Sequence, residues 1–201
     1  NIATTFFEEY NIDNVIIEDE IFGGVPCIEN CFSNVLFLPG IKGSVLKKGS
    51  DTLWPPTIFS NDVPQLALDT DGDSVNDIYT DGILNEFGPT DIYEPFSDFM
   101  DGLVGEGLIN EWLPMAYDWR FSPEMILEDG IKTKDEVLDV IEKIEELAMQ
   151  SRTGQVAIVA HSMGGLMGKA IIKKLEEEGK SELIDSFMMV GTPQLGTPQA
   201  L

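Results

Sequence analysis

The sequence predicts an α/β fold, a mostly parallel sheet with helical crossovers, and three observations predict it. Short apolar runs that read as buried strands recur at residues 34–38, 111–117, 156–160 and 183–190. Stretches with helical periodicity lie between them, at 94–107, 133–148 and 166–178. At 201 residues the chain is also long enough to bury one sizeable core, so a single domain is the simplest organisation. That domain is placed at residues 34–201. Residues 1–33 read as an extended lead-in or linker, with weak alternation at Val15, Ile17 and Ile21 and a break at Gly23-Gly24.

Twelve Lys and Arg face 36 Asp and Glu, a formal net charge of −24. Such a field repels nucleic acid and anionic membranes and attracts cations. It fits surface solubility or a salty habitat equally well. No apolar run approaches the roughly 20 residues of a membrane span. The chain starts at Asn1 without a signal-like segment, so it is expected to begin inside a longer gene product or after processing. Cys27 and Cys31 either pair with each other, which would suggest an oxidising, extracellular setting, or remain two free thiols. With one histidine and no other thiol, they lack partners for a zinc site.

In chain order, the strand at 34–38 runs into Pro39-Gly40-Ile41-Lys42-Gly43-Ser44. A Gly-rich loop straight after a strand can offer backbone amides to an oxyanion, whereas the spacing of a phosphate-binding loop is absent. An irregular stretch follows to about residue 85. Within it Asp69, Asp71, Asp73 and Asp77 occupy positions 1, 3, 5 and 9 of a calcium-type ladder. Ser74 stands where glycine is wanted, and a hairpin turning at Asp71-Gly72 explains the same letters, so structural calcium and a hairpin both stand. Phe96, Phe99, Met100, Leu103, Val104 and Leu108 form the apolar stripe of a helix. The strand at 111–117 ends in Asp118-Trp119-Arg120, where Asp and Arg can pair as a structural clamp or meet substrate. Thr133 with Glu136 reads as a capping box opening a helix whose Val137, Val140, Ile141, Ile144, Leu147 and Ala148 face inward.

The strand Val156-Ala157-Ile158-Val159-Ala160 then meets His161-Ser162-Met163-Gly164-Gly165 and a helical run closed by Gly179. Strand, tight turn and helix with a serine at the tip is the setting of a nucleophile elbow, in which a strained turn lifts a hydroxyl above the sheet. Ala160 replaces the first glycine of the usual G-x-S-x-G pattern. The last strand leads into a loop at Gly191-Thr192-Pro193 and Gly196-Thr197-Pro198.

Four segments, in order, resemble the lecithin:cholesterol acyltransferase family of α/β-hydrolases, which includes the lysosomal phospholipase A2-type enzymes. They are Leu36-Phe37-Leu38-Pro39-Gly40 with Gly43-Ser44-Val45-Leu46, Ala116-Tyr117-Asp118-Trp119-Arg120, the stretch from Ala160 to Gly164, and Gly191-Thr192-Pro193 with Gly196. Tyr-Asp-Trp-Arg is more specific than the serine motif alone. The resemblance implies an α/β-hydrolase with a lid-like or calcium-loop insertion around residues 47–92. It implies acyl transfer from lipid esters to water or an alcohol through an acyl-enzyme at Ser162, without a cofactor. It also implies oxyanion amides from Ile41 and Met163, and substrates drawn from a peripheral membrane or lipoprotein-like surface.

The family completes its triad with an acid and a histidine that follow the serine. After Ser162 this sequence holds Asp185, too early to be that acid, and no histidine; His161 is the only one. Neighbouring side chains on a strand end point apart, so the His161 imidazole is not expected to reach the Ser162 hydroxyl. The chain is therefore read as the front part of a hydrolase, truncated after the strand that follows the elbow and inactive alone. A downstream part of the same protein would supply Asp and His. Two rivals remain: a non-catalytic, acidic, calcium-stabilised binding module on the same scaffold, and a carboxylesterase or thioesterase with the same serine chemistry.

Overall fold

The computed structural model describes residues 32–56 and 62–196. The readings of a lead-in through residue 31, of Cys27 and Cys31, and of Thr197-Pro198 lie outside the described residues. In chain order the elements are β1 (Asn34–Leu38), β2 (Ser44–Lys48), β3 (Asp51–Trp54), β4 (Tyr79–Ile83), β5 (Glu86–Phe87), β6 (Thr90–Asp91), α1 (Glu94–Gly105), β7 (Trp112–Pro114), α2 (Pro123–Asp129), β8 (Ile131–Lys132), β9 (Val137–Leu138), α3 (Val140–Met149), β10 (Val156–His161), α4 (Gly164–Glu177) and β11 (Ile184–Val190).

The central sheet has the order β11-β10-β1-β7, and every neighbouring pair in it is parallel. This is the mostly parallel sheet with helical crossovers that the alternating pattern predicts. Strand β1 is buried along its whole length, as a strand with both faces covered must be. Because side chains alternate between faces, Leu36 and Leu38 enter the larger core with Ile144, Ile158, Met167, Ile171 and Leu175 of the helices and strand beside them. Val35 points the other way, into a smaller cluster with Met100 and Ile109. Each fully buried side chain of this size contributes about 1.5–3 kcal/mol.

The foot of the sheet is tied by Asn34, which is completely buried. Its Nδ2 donates to the Leu147 carbonyl, its Oδ1 accepts from the amides of Asn110 and Glu111, and its own amide donates to Ser151 Oγ. One side chain thus joins β1, the segment entering β7, and the end of α3.

Strands β2, β3 and β4 form a second, antiparallel sheet of order β3-β2-β4 over its own small core of Leu46, Leu53, Leu66 and Ile78. The Tyr-Asp-Trp-Arg segment fastens this layer to the parallel sheet. Arg120 forks onto Asp118 (Nη2 to Oδ2 2.6 Å) and reaches across to the Leu66 carbonyl at 3.0 Å and Ser74 Oγ at 3.1 Å. Both charged side chains are largely buried, at 5% and 14% exposure. Of the two readings of this pair, the structure builds the structural clamp.

Two expectations are corrected. The S/T-x-x-E pattern at Thr133 and Glu136 turns a hairpin instead of opening a helix. Thr133 Oγ1 accepts from the Glu136 amide (3.2 Å), the bond a capping box would also make. The Thr133 amide, however, donates to the Glu136 carbonyl (2.8 Å), and β8 and β9 pair on either side. Val137 therefore lies exposed on a strand, and α3 starts later, capped by Asp139 Oδ1, which accepts from the Glu142 amide (2.9 Å). Second, Phe99 of the predicted stripe points outward from α1, while Met100 is buried. The backbone of the Asp-rich loop turns as the hairpin that is one of its two readings. Asp69 Oδ1 accepts from the amides of Asp71 and Asp73, both at 2.9 Å, Gly72 takes φ 91°, and Leu68 bridges Ser74. Asp77 pairs with Lys132. Among the described residues no group of three or more His, Cys, Asp or Glu is gathered to hold a metal ion.

Three mutations test this architecture. Arg120→Ala strands Asp118 in a largely buried site and is expected to cost about 3 kcal/mol in urea unfolding; a change below about 0.5 kcal/mol would remove the clamp. Asp139→Ala is expected to cost about 1 kcal/mol as a lost helix cap. Thr133→Ala should leave the far-UV helix signal unchanged, and a loss of helix there would restore the capping-box reading.

Candidate active site

Strand β1 connects onward to β7 on one side of the sheet, and β10 connects to β11 on the other. Adjacent strands whose connections leave in opposite directions open a crevice above their carboxyl ends, which is where open parallel sheets place their ligands. The pairing of β1 with β10 ends at Leu38↔Ala160. Residues 39–43 and 161–164 therefore emerge side by side at that crevice.

Ser162 stands at φ 52°, in the left-handed region that non-glycine residues avoid at a cost of about 1–2 kcal/mol. Its amide donates to the Val190 carbonyl of β11 at 2.8 Å, and its carbonyl accepts from the Gly165 amide at 3.1 Å. These bonds hold the strained turn between a strand end and a helix start. The turn also needs close backbone approach. A Cβ on Gly164 would lie 2.3 Å from the Leu38 carbonyl oxygen and 2.7 Å from that of Pro39. Ala160, fully buried, fills the place of the first glycine without conflict. The strand–turn–helix reading of residues 156–178 matches this geometry.

The loop from Pro39 to Gly43 is held from several directions. Tyr117 Oη donates to the Pro39 carbonyl at 2.6 Å, and burial pushes that phenol well above its ordinary pKa. Trp54 Nε1 donates to the Lys42 carbonyl at 2.8 Å. The Gly43 carbonyl accepts from the Leu84 amide at 2.8 Å, and its amide closes a turn onto the Gly40 carbonyl at 2.9 Å. The Gly40 amide donates to Tyr93 Oη at 2.9 Å. A Cβ on Gly40 would lie 3.0 Å from both His161 Nδ1 and Ser162 Cβ, so loop and turn are in direct contact. Lys42, at φ 62°, and Ser162 are the two non-glycine residues with positive φ among those described. Both strained positions border the crevice.

Ile41 follows the bonded Gly40 amide with its side chain exposed, and Met163 follows Ser162 at the entry to α4. Among the described residues neither of their amides donates to another backbone carbonyl. His161 does not turn toward the serine: its Nδ1 meets Tyr93 Oη at 2.8 Å. Tyr93 was not among the candidates from sequence. It lies 68 residues before His161, just ahead of α1, and nothing in its neighbourhood marks it. Burial pushes its phenol pKa up, against the Gly40 amide, which pulls it down.

The strain can be measured. Ser162→Gly removes the left-handed penalty and is expected to raise stability by about 0.5–1 kcal/mol after the entropy cost of glycine; a lower melting temperature would contradict the strained turn. Gly164→Ala drives a methyl into two carbonyl oxygens and is expected to cost about 3 kcal/mol in urea unfolding.

A family model described as Lecithin:cholesterol acyltransferase matches residues 79–201, more than half of the chain. The match contains Tyr93, the Tyr117–Arg120 segment and Ser162, whereas the loop at 39–43 lies before it and is joined to the site by the fold. A search of curated proteins gave no match. Family membership points to chemistry of the lipid acyltransferase or phospholipase type. With a parallel sheet whose diverging crossovers set a strained serine turn beside a clamped glycine loop, and with that match over more than half its length, the chain belongs to the lecithin:cholesterol acyltransferase family of α/β-hydrolases.

Proposed function

We propose that the protein carries out serine-dependent acyl transfer on lipid esters, of the O-acyltransferase, phospholipase A or lipase type, through an acyl-enzyme at Ser162. The observation that carries this reading is the left-handed Ser162 in contact with the Gly40 loop at the crevice of a family member. Ser162 Oγ attacks the ester carbonyl, its proton passes to a histidine base, and the tetrahedral oxyanion lies between the amides of Ile41 and Met163. Each such amide contributes on the order of 100- to 1000-fold in rate. The alcohol leaves with the proton from the base, and water or an acceptor alcohol then releases the acyl group by the same steps in reverse.

His161 is not that base in this proposal, because its Nδ1 is engaged by Tyr93 and no hydrogen bond joins it to Ser162 among the described residues. A downstream part of the same protein supplies the histidine and the acid that orients it. The outer edge of β11 supports this arrangement: Met188, Met189 and Val190 are exposed on a parallel edge strand, apolar surface that a further strand and helix would cover. Without a base the serine loses on the order of a million-fold in rate. The 201-residue chain alone is therefore close to inert.

Fluorophosphonate labelling tests the proposal on this chain, on the chain extended to its natural stop codon, and on Ser162→Ala in the extended form. Labelling of the extended form alone, abolished by the alanine, is expected. Undiminished labelling of Ser162→Ala would sink the assignment of the nucleophile. Labelling of the short chain at the extended chain's rate would show that a group within it activates the serine.

A further inference from the structure

We propose that Tyr93 is a positioning residue, whose single hydroxyl locks the Pro39–Gly43 loop to the serine turn by accepting from Gly40 and donating to His161. This deepens the reading above and rests on Ser162 being the nucleophile, although its central observation does not.

One of the two hydrogen bonds at this oxygen has a fixed direction. The Gly40 amide, 2.9 Å from Tyr93 Oη, can only donate, so the phenol oxygen is its acceptor. The hydroxyl has one proton to give, His161 Nδ1 lies 2.8 Å away, and the proposal sends that proton to it. With the hydroxyl donating, as proposed, His161 is the tautomer with Nδ1 bare and hydrogen on Nε2, and an Nδ1 in this state cannot donate to anything. The phenol stays protonated because burial pushes its pKa above the ordinary value. Its ring is fixed by edge contacts with Phe37 (centroids 5.0 Å apart) and His161 (5.7 Å). The hydroxyl also needs Gly43 to be glycine, since a Cβ there would lie 2.9 Å from it.

Three elements meet at this one oxygen: the loop after β1 through Gly40, the end of β10 through His161, and the start of α1 through Tyr93 itself. Because Gly40 is taken, the next amide, that of Ile41, is left for the crevice. The relative placement of Ile41 and Ser162 then depends on a link running through Tyr93 and His161. Tyr93 touches no reacting atom; it acts through the backbone it holds. Misplacing a catalytic donor by about 1 Å can cost on the order of 100-fold in rate. Removing the hydroxyl should therefore lower kcat and leave substrate binding largely intact.

The chain contains a single histidine, so the long-range proton–nitrogen correlation spectrum of its imidazole reports His161 alone. At mildly alkaline pH the wild-type 201-residue chain is expected to show hydrogen on Nε2 and a bare, hydrogen-bonded Nδ1. A proton on Nδ1 would overturn the proposal, and this arm needs no variant to fold. Tyr93→Phe keeps the ring and is expected to release the fixed tautomer. In the chain extended to its natural stop codon it should lower kcat about 10- to 100-fold with KM within about twofold and the melting temperature nearly unchanged. An unchanged imidazole spectrum with unchanged kcat would overturn the proposal. So would a kcat loss that merely follows a fall in melting temperature, which marks a packing residue. Ser162→Ala in the extended form separates the two readings: retained labelling there defeats the nucleophile and leaves the tautomer result standing.

Discussion

The site depends on the parallel pairing of β1 with β10. Five consecutive pairs, from Asn34↔Val156 to Leu38↔Ala160, bring two segments far apart in sequence to the same level of the sheet. Everything at the crevice follows from where that ladder stops. The Leu38 and Pro39 carbonyls become the wall against which Gly164 must have no side chain. The glycine loop and the serine turn then share one contact surface. Neither segment has a reason to adopt its conformation without the other. The left-handed Ser162 is affordable because β11 and the first turn of α4 bond its backbone on both sides.

The second, antiparallel sheet has a different relation to the site. It buries only a small core, yet it approaches the glycine loop through two bonds, Trp54 to the Lys42 carbonyl and the Leu84 amide to the Gly43 carbonyl. Arg120 and Trp119, from the segment after β7, attach to the same layer, Trp119 Nε1 donating to the Ser44 carbonyl at 3.2 Å. The insertion therefore backs the loop from outside, as the parallel sheet backs it from below. That arrangement gives the Tyr-Asp-Trp-Arg segment its place: Tyr117 and Trp119 support the loop and its continuation, while Asp118 and Arg120 hold the layer that presses on it.

Much of this was legible in the sequence where the requirement is local. A strand that is apolar throughout, small residues around a serine, and a glycine closing the helix each follow from short-range sterics, and Ala160, Gly164 and Gly179 stand where those rules put them. Gly179 takes φ 71° with the Lys180 amide bonded back to the Leu175 carbonyl, a helix ending the letters announce. Patterns that serve two structures were not legible. Thr133-Lys134-Asp135-Glu136 makes the same hydroxyl-to-amide bond in a hairpin as in a capping box, and only the pairing of Val137 and Leu138 with β8 decides. Asp69 to Asp77 likewise offers oxygens that a cation or the neighbouring amides can use. Helix α2 was missed because it is short and buries only Ile126. Tyr93 was invisible because its role exists only in three dimensions, where β1, β10 and α1 converge.

Asn34 carries a further consequence. Four hydrogen bonds fix it at the foot of β1, and the same strand delivers Gly40 to the serine turn at the other end. A parallel strand buried on both faces has few polar marks to tell one register from the next. Here a single buried amide side chain sets the zero point, and the length of β1 acts as a ruler between it and the crevice. A one-residue insertion or deletion in this strand would have to choose between satisfying Asn34 and delivering Gly40. The strand is thus a place where substitutions that keep apolar volume are tolerable and changes of length are not.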